Sequence, residues 1–229
     1  MKLLMKKISL IIFGLLGSAS IFAQQRLTTK MTVAPRFGIK AGANFAEFKV
    51  SSDNSTGTLP ETQSRGSFNA GFFYNIPLGT SFRFQPELEY SGEGSRISQN
   101  ITFPTTYTQT STDKLGYINL PLMLQWQSES GFYVEVGPQL GYLISAKNVM
   151  TGNNASTGET NIKDNLKKMD FAGAGGIGYL SRVGLGIDAR YVYGFRDIYN
   201  TEDGNNAGAP ELKNRVIQVG LFWQFGAGQ

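Results

Sequence analysis

Four arrangements in this chain have residue types and spacings that could support chemistry. Gly173-Ala-Gly-Gly-Ile-Gly178 satisfies G-x-G-x-x-G, the spacing with which a glycine turn brings backbone amides to a pyrophosphate. Glu87 and Glu89, two apart, put paired carboxylates on one side of an extended chain, as acid–base catalysis requires. Ser145 and Lys147 offer a hydroxyl beside an amine. Asp197, Glu202 and Asp203 cluster late in the chain as possible cation ligands. The composition opposes most of this chemistry, because there is no histidine and no cysteine. Without imidazole there is no ordinary Ser-His or Asp-His pair titrating near neutral pH, and no histidine metal site.

Three of these arrangements also have a plainer reading. A dinucleotide site needs a strand before its glycines, a helix after them and an acidic residue about 20 positions on. Here a tight turn and another alternating segment follow, so the glycines are expected to let a strand bend and pack. Arg83 shares the face of Glu87 and Glu89, and Arg190 projects toward the same space, which favours structural ion pairing over catalysis. The acidic residues of the last loop read as solvated. The chain is therefore expected to be a non-enzyme with no catalytic residue, no cofactor and no metal.

The elements that position these residues are eight stretches of alternating apolar and polar residues. The gaps between them alternate long and short: Glu47–Arg65, Pro77–Ser81, Gly92–Lys114, Gln127–Gly131, Lys147–Lys168, Leu180–Arg182 and Arg196–Asn214. Successive side chains of a strand point to opposite faces, so each stretch has one apolar face and one small or polar face. Val183–Phe195 and Ile217–Phe225 are counted among the strands. The long-short rhythm predicts an all-β, eight-stranded antiparallel up-and-down transmembrane β-barrel with short periplasmic turns and long extracellular loops. Ile97–Phe103 and Tyr107–Thr112 are candidates to extend as strands above the membrane. Pro86, Pro121 and Pro138 lie inside strands and point to bulges or local irregularities there.

A soluble barrel would put lysine and glutamate on its polar face. Here that face is rich in glycine and alanine, which suits a crowded interior. The apolar face has aromatic residues at both ends, as a bilayer's two interfaces favour. One belt is Phe37, Phe82, Trp126, Phe132, Tyr179, Trp223 and Phe225. The other is Phe45, Phe68, Tyr90, Tyr142, Phe171 and Tyr193. Eight strands leave a lumen that side chains fill. Lys40, Arg83, Glu87, Glu89, Glu135, Asp170, Asp188 and Arg190 are then expected inside as a paired charge network, a plug and not a channel.

Three lysines precede the apolar run Ile8–Leu16, which is too short to span a membrane as a helix. Residues 1–23 read as a secretory signal peptide cleaved after Ala23. Removing them takes away three lysines and no acidic residue, so the formal charge falls from +4 to +1. Nothing in that balance suggests nucleic acid. The remaining chain divides into a short periplasmic segment at 24–36, the barrel at 37–225 and a tail at 226–229. Expected partners are outer-membrane lipid, the barrel-assembly machinery during biogenesis, and an envelope or secretion protein. Closure of the barrel makes a monomer the default.

The stretches Gly38-Ile-Lys-Ala-Gly-Ala-Asn44, Tyr117–Leu124, Gly137–Lys147, Gly184–Phe195 and Asn214–Leu221 together span nearly all of the exported chain. In their combination the chain resembles the PorT-like outer-membrane β-barrel proteins of the Bacteroidetes. The resemblance implies an eight-stranded outer-membrane barrel and little about activity; the family's founding member is tied to protein secretion, a role that likeness at family level does not by itself carry to this chain. The sequence thus points to a structural or partner-binding barrel. The alternative is a narrow channel or small-molecule carrier, if the inward glycines leave a gap.

Overall fold

The alternating segments pair into one closed ring. A computed structural model of the protein describes residues 34–51, 62–101, 107–152, 158–198 and 211–226. The expected signal peptide, residues 24–33 of the N-terminal segment, Glu202, Asp203 and residues 227–229 lie outside the described residues. The strands are β1 (Arg36–Ser51), β2 (Thr62–Pro77), β3 (Phe82–Ile101), β4 (Tyr107–Gln127), β5 (Phe132–Gly152), β6 (Gly158–Asn161), β7 (Met169–Leu180), β8 (Leu185–Gly194) and β9 (Glu211–Gln224). Every pairing is antiparallel, running β1–β2–β3–β4–β5–β7–β8–β9, and β9 returns to β1 to leave no spanning edge. Closure satisfies the backbone within the wall, as hydrocarbon demands.

The short β6 is a ninth strand that the alternation did not announce. It adds to the outer end of β5, with Lys147 opposite Asn161 and Met150 opposite Gly158. The span Gly92–Lys114, expected as a loop, is largely strand. The β3–β4 ladder continues through Glu93↔Leu115 and Ser98↔Thr110 to Ile101↔Tyr107. Of the two stretches proposed as extensions, Tyr107–Thr112 and residues 97–101 are paired, and residues 102–103 lie outside the described residues.

Two of the three short turns share one design. In Ser128–Gly131 and Ser181–Gly184 the glycine N–H donates to the serine carbonyl, at 3.1 and 3.0 Å. Gly131 and Gly184 have φ of +96° and +93°, the left-handed region that a three-residue hairpin loop reserves for glycine. This turn takes in Val183, so β8 begins at Leu185 and not at Val183 as expected. Phe195 and Phe225 likewise fall just past the ends of β8 and β9.

The prolines shift no register, but local irregularities do accompany them, since the pairing lapses between Phe73↔Glu87 and Ile76↔Phe84 beside Pro86 and between Pro121↔Gln139 and Leu124↔Val136 beside Pro121 and Pro138. Across Pro86 the β2–β3 ladder keeps its offset from Phe73↔Glu87 to Ile76↔Phe84, and across Pro138 the β4–β5 ladder does so from Pro121↔Gln139 to Leu124↔Val136. A proline lacks the ladder donor but adds no residue, so the offset survives. The shifts fall instead between Ser64 and Asn69 and between Gly116 and Tyr117. At the second, Tyr117 pairs with Leu143 while Gly116 pairs with Ser145. Ile144 is the extra residue, and beyond it the faces of β5 exchange: Leu143 and Ala146 are buried, while Ser145 and Lys147 are exposed.

Candidate functional site

The inward face of the strands fills the lumen in layers. At the short-turn end Asn75 Nδ2 donates to Gln85 Oε1 at 2.8 Å and to Gln125 Oε1 at 2.9 Å. Arg83 Nε donates to Gln127 Oε1 at this rim, so the structure sets Arg83 apart from the central ion pairs. Above lie three inward aromatics, Phe73, Tyr133 and Phe222. Phe222 meets Phe73 edge-on at 5.8 Å and Tyr133 at 6.2 Å between ring centroids. Glycines on neighbouring strands make the room: a Cβ would come within 2.0 Å of the Phe73 ring at Gly38, 2.1 Å of Phe222 at Gly186 and 2.4 Å of Tyr133 at Gly178.

The charge layer crosses the lumen beyond these rings. Arg190 donates from Nη1 and Nη2 to the two oxygens of Glu87, at 2.9 and 2.8 Å, and from Nε to Glu135 Oε1 at 2.8 Å. Lys40 Nζ lies 3.2 Å from Glu87, 3.3 Å from Asp188 and 3.6 Å from Glu89. Gln85 and Gln125 add amide donors to Glu87 and Glu135, at 2.8 and 2.9 Å. β1, β3, β5 and β8 are thereby joined across the interior, with each of these charged residues buried. Isolated charges there would be costly, and the two-point guanidinium–carboxylate contact offsets that cost. Asp170 is half-buried toward the long-loop end and makes none of these ion pairs.

Toward that end, Ala46, Met123, Ala172, Ala174, Val192 and Val216 form a small apolar layer. Asn44 Nδ2 donates to Ser91 Oγ at 2.9 Å, and Gln218 Nε2 to Glu89 Oε1 at 2.8 Å. Glu93 was not among the expected lumen charges, because it fell in a presumed loop. It is buried and accepts from Asn119 Nδ2 at 3.3 Å and from Asn214 Nδ2. The alternation in β3 carries the signal, since Glu87, Glu89, Ser91, Glu93 and Ser95 occupy one face and all are buried. Phe48, Leu115, Tyr117, Leu143, Ala146, Leu166 and Ile198 cover this end with an apolar cluster.

The other candidates resolve individually. Gly173–Gly178 lies inside β7, which runs through a turn into β8 with no helix between. Gly178 accommodates Tyr133 inside, and Gly173 accommodates the Phe195 ring outside. Lys147 meets Glu159 at 2.5 Å on the exposed outer hairpin, and its hydrogen bond and charge hold that carboxyl below the ordinary range. Asp197 Oδ1 accepts from the Leu212 amide at 3.1 Å, closing a loop. No cluster of three or more metal-ligating side chains occurs among the described residues.

The outward face is apolar and exposed. Phe37, Phe82, Trp126, Phe132, Tyr179, Trp223 and Phe225 stand at the short-turn end, and Phe45, Phe68, Tyr142 and Phe171 at the other. Tyr90 and Tyr193 of the second group are half-buried against Phe68 and Phe195. Phe37 stacks between Phe72 and Phe225, at 5.9 and 6.0 Å.

The profile of the outer membrane protein beta-barrel domain family matches residues 22–200. No curated protein matches the chain in sequence. Among solved structures, Neisserial surface protein A is similar at 14% identity and TM-score 0.43, over 82% of this chain and 97% of that one. Ail, the attachment invasion locus protein of Yersinia pestis, is similar at 11% identity and TM-score 0.42, over 84% and 100% of the two chains. The outer membrane protein OprG from Pseudomonas aeruginosa is similar at 13% identity and TM-score 0.37, over 84% and 96%.

Proposed function

We propose, for a chain that belongs to the outer membrane protein beta-barrel domain family, a non-enzymatic role as a plugged barrel that stabilises the envelope or engages a protein partner. On this reading residues 1–23 direct export, the barrel-assembly machinery inserts the chain, and it works as a monomer. The resemblance to PorT-like proteins of the Bacteroidetes makes a component of a secretion apparatus the partner of choice.

The observation that carries the reading is the lumen. Arg190 and Lys40 tie carboxylates from β3, β5 and β8 across its centre, with an aromatic layer on one side and an apolar cluster on the other. A solute would have to break buried ion pairs to pass, which leaves the loops and turns as the parts that can meet a partner. The test is ion conductance of refolded protein in a planar bilayer. The reading expects a silent membrane, whereas steady unitary currents would give the role to a narrow channel.

A further inference from the structure

Two arginines at the long-loop end of the lipid-facing wall are placed differently from Arg65, Lys147 and Lys163. Arg65 donates to the Glu93 carbonyl at 2.6 Å, Lys147 to Glu159 at 2.5 Å and Lys163 to the Ile144 carbonyl at 2.9 Å. Arg196 and Arg215 form no ion pair with a carboxylate among the described residues. Each guanidinium instead lies over an aromatic ring of the outer belt: Arg196 over Phe171 at 5.6 Å and Arg215 over Tyr193 at 5.4 Å. Asp170 is the carboxylate that the Arg196 charge reaches, and its side chain belongs to the opposite, inward face of β7.

The sheet sets the two arginines over neighbouring rings. Tyr193 is the direct cross-strand partner of Arg215, and the Phe195 amide donates to the Phe171 carbonyl at 2.9 Å. Phe171 and Tyr193 are therefore diagonal neighbours on adjacent strands, about 7–8 Å apart. Phe195 meets Tyr193 edge-on at 5.8 Å and is itself exposed. Arg215 Nε is buried with no hydrogen-bond acceptor among the described residues. A guanidinium stacked on a ring keeps its N–H fork in plane, ready for two-point contact with a tetrahedral anion. The rings belong to the belt that marks the headgroup level, where anionic lipid meets clustered cations.

We infer that Arg196 and Arg215, held over Phe171 and Tyr193, form a binding site for the phosphate of an outer-leaflet lipid headgroup. The aromatic rings fix the two forks, and the apolar wall below accepts the lipid's chains. The site ties one phosphorylated lipid to the β7–β8–β9 side of the barrel.

The test uses refolded protein in neutral detergent, titrated with diphosphoryl lipid A and read by native mass spectrometry. The expected result is a lipid-bound species whose affinity falls about thirtyfold in the Arg196→Gln/Arg215→Gln double variant, given the usual strength of cations near anionic lipid. Arg182→Gln, at the opposite end, should bind as the parent does. An Arg215→Lys variant, which keeps charge and loses the flat fork, should fall between them. Heat-modified mobility on a gel verifies that every variant is folded. Undiminished binding by the folded double variant, or equal binding of the dephosphorylated lipid, would overturn the site. Displacement of the lipid by millimolar inorganic phosphate would overturn its assignment to a membrane-anchored headgroup.

Discussion

Arg190 is the residue on which the interior depends, because its one guanidinium satisfies two buried glutamates from two strands. Replacing it with methionine keeps volume and leaves Glu87 and Glu135 short of their main donor. Arg190→Met should therefore cost about 3–5 kcal/mol, the usual penalty for halving a buried pair, seen as a lower urea midpoint of the refolded protein. Packing gives a second expectation. Gly38→Ala drives a methyl into the Phe73 ring, which lies 2.0 Å from the new atom. Overpacking of that kind costs about 1–3 kcal/mol, and adding Phe73→Leu should return much of the loss. Above the membrane, burial pushes the Asp113 carboxyl up, and the Asn148 amide, donating at 2.7 Å, offsets part of the shift. A raised folded value means that the folded protein takes the proton more readily than the unfolded chain. Asp113 thus costs nothing at acid pH and destabilises as pH rises from about 4. The urea midpoint of Asp113→Asn should match the parent at acid pH and exceed it at neutral pH. Alternation along single strands assigned the inward face of Lys40, Glu87, Glu89, Glu135, Asp188 and Arg190 directly. It did not reveal the aromatic layer, because the glycines that admit Phe73, Tyr133 and Phe222 sit on neighbouring strands.

At the scale of elements, the spanning strands and short turns were legible because one face had to meet lipid, which forces a strict period of two. The outer extensions were legible only in part: Ile97–Phe103 and Tyr107–Thr112 stand out as candidate strands, and residues 97–101 and 107–112 are paired. Beyond the bilayer neither face must be apolar, so residues 92–96 and the β6 hairpin read as polar loop although they are paired strand. The phase change at Ile144 was equally hidden, since a one-residue bulge leaves no compositional mark. What holds these extensions is the apolar cluster at their base, where Leu166 and Ile198 pack against Phe48 and Leu143. Leu166→Ala should destabilise that end by about 2–5 kcal/mol. Hydrogen exchange should then quicken in residues 107–116 and 144–152 while the spanning halves of the strands remain protected. Uniform loss of protection would show that the cluster holds the whole barrel.

For the whole molecule, the account requires that the aromatic and aliphatic wall lie in hydrocarbon while charge is sealed inside. The protein supplies its own probe. Its two tryptophans, Trp126 and Trp223, both belong to the short-turn belt and are about two-fifths exposed on the outward face. The most direct measurement is quenching of their fluorescence by lipids brominated at graded depths, with the protein refolded into vesicles. The account predicts strong quenching that peaks for bromines near the headgroup end of the chains and fades toward the bilayer centre. Tryptophans untouched by brominated lipid yet quenched by aqueous iodide would contradict it, because the apolar face would then not be the membrane face.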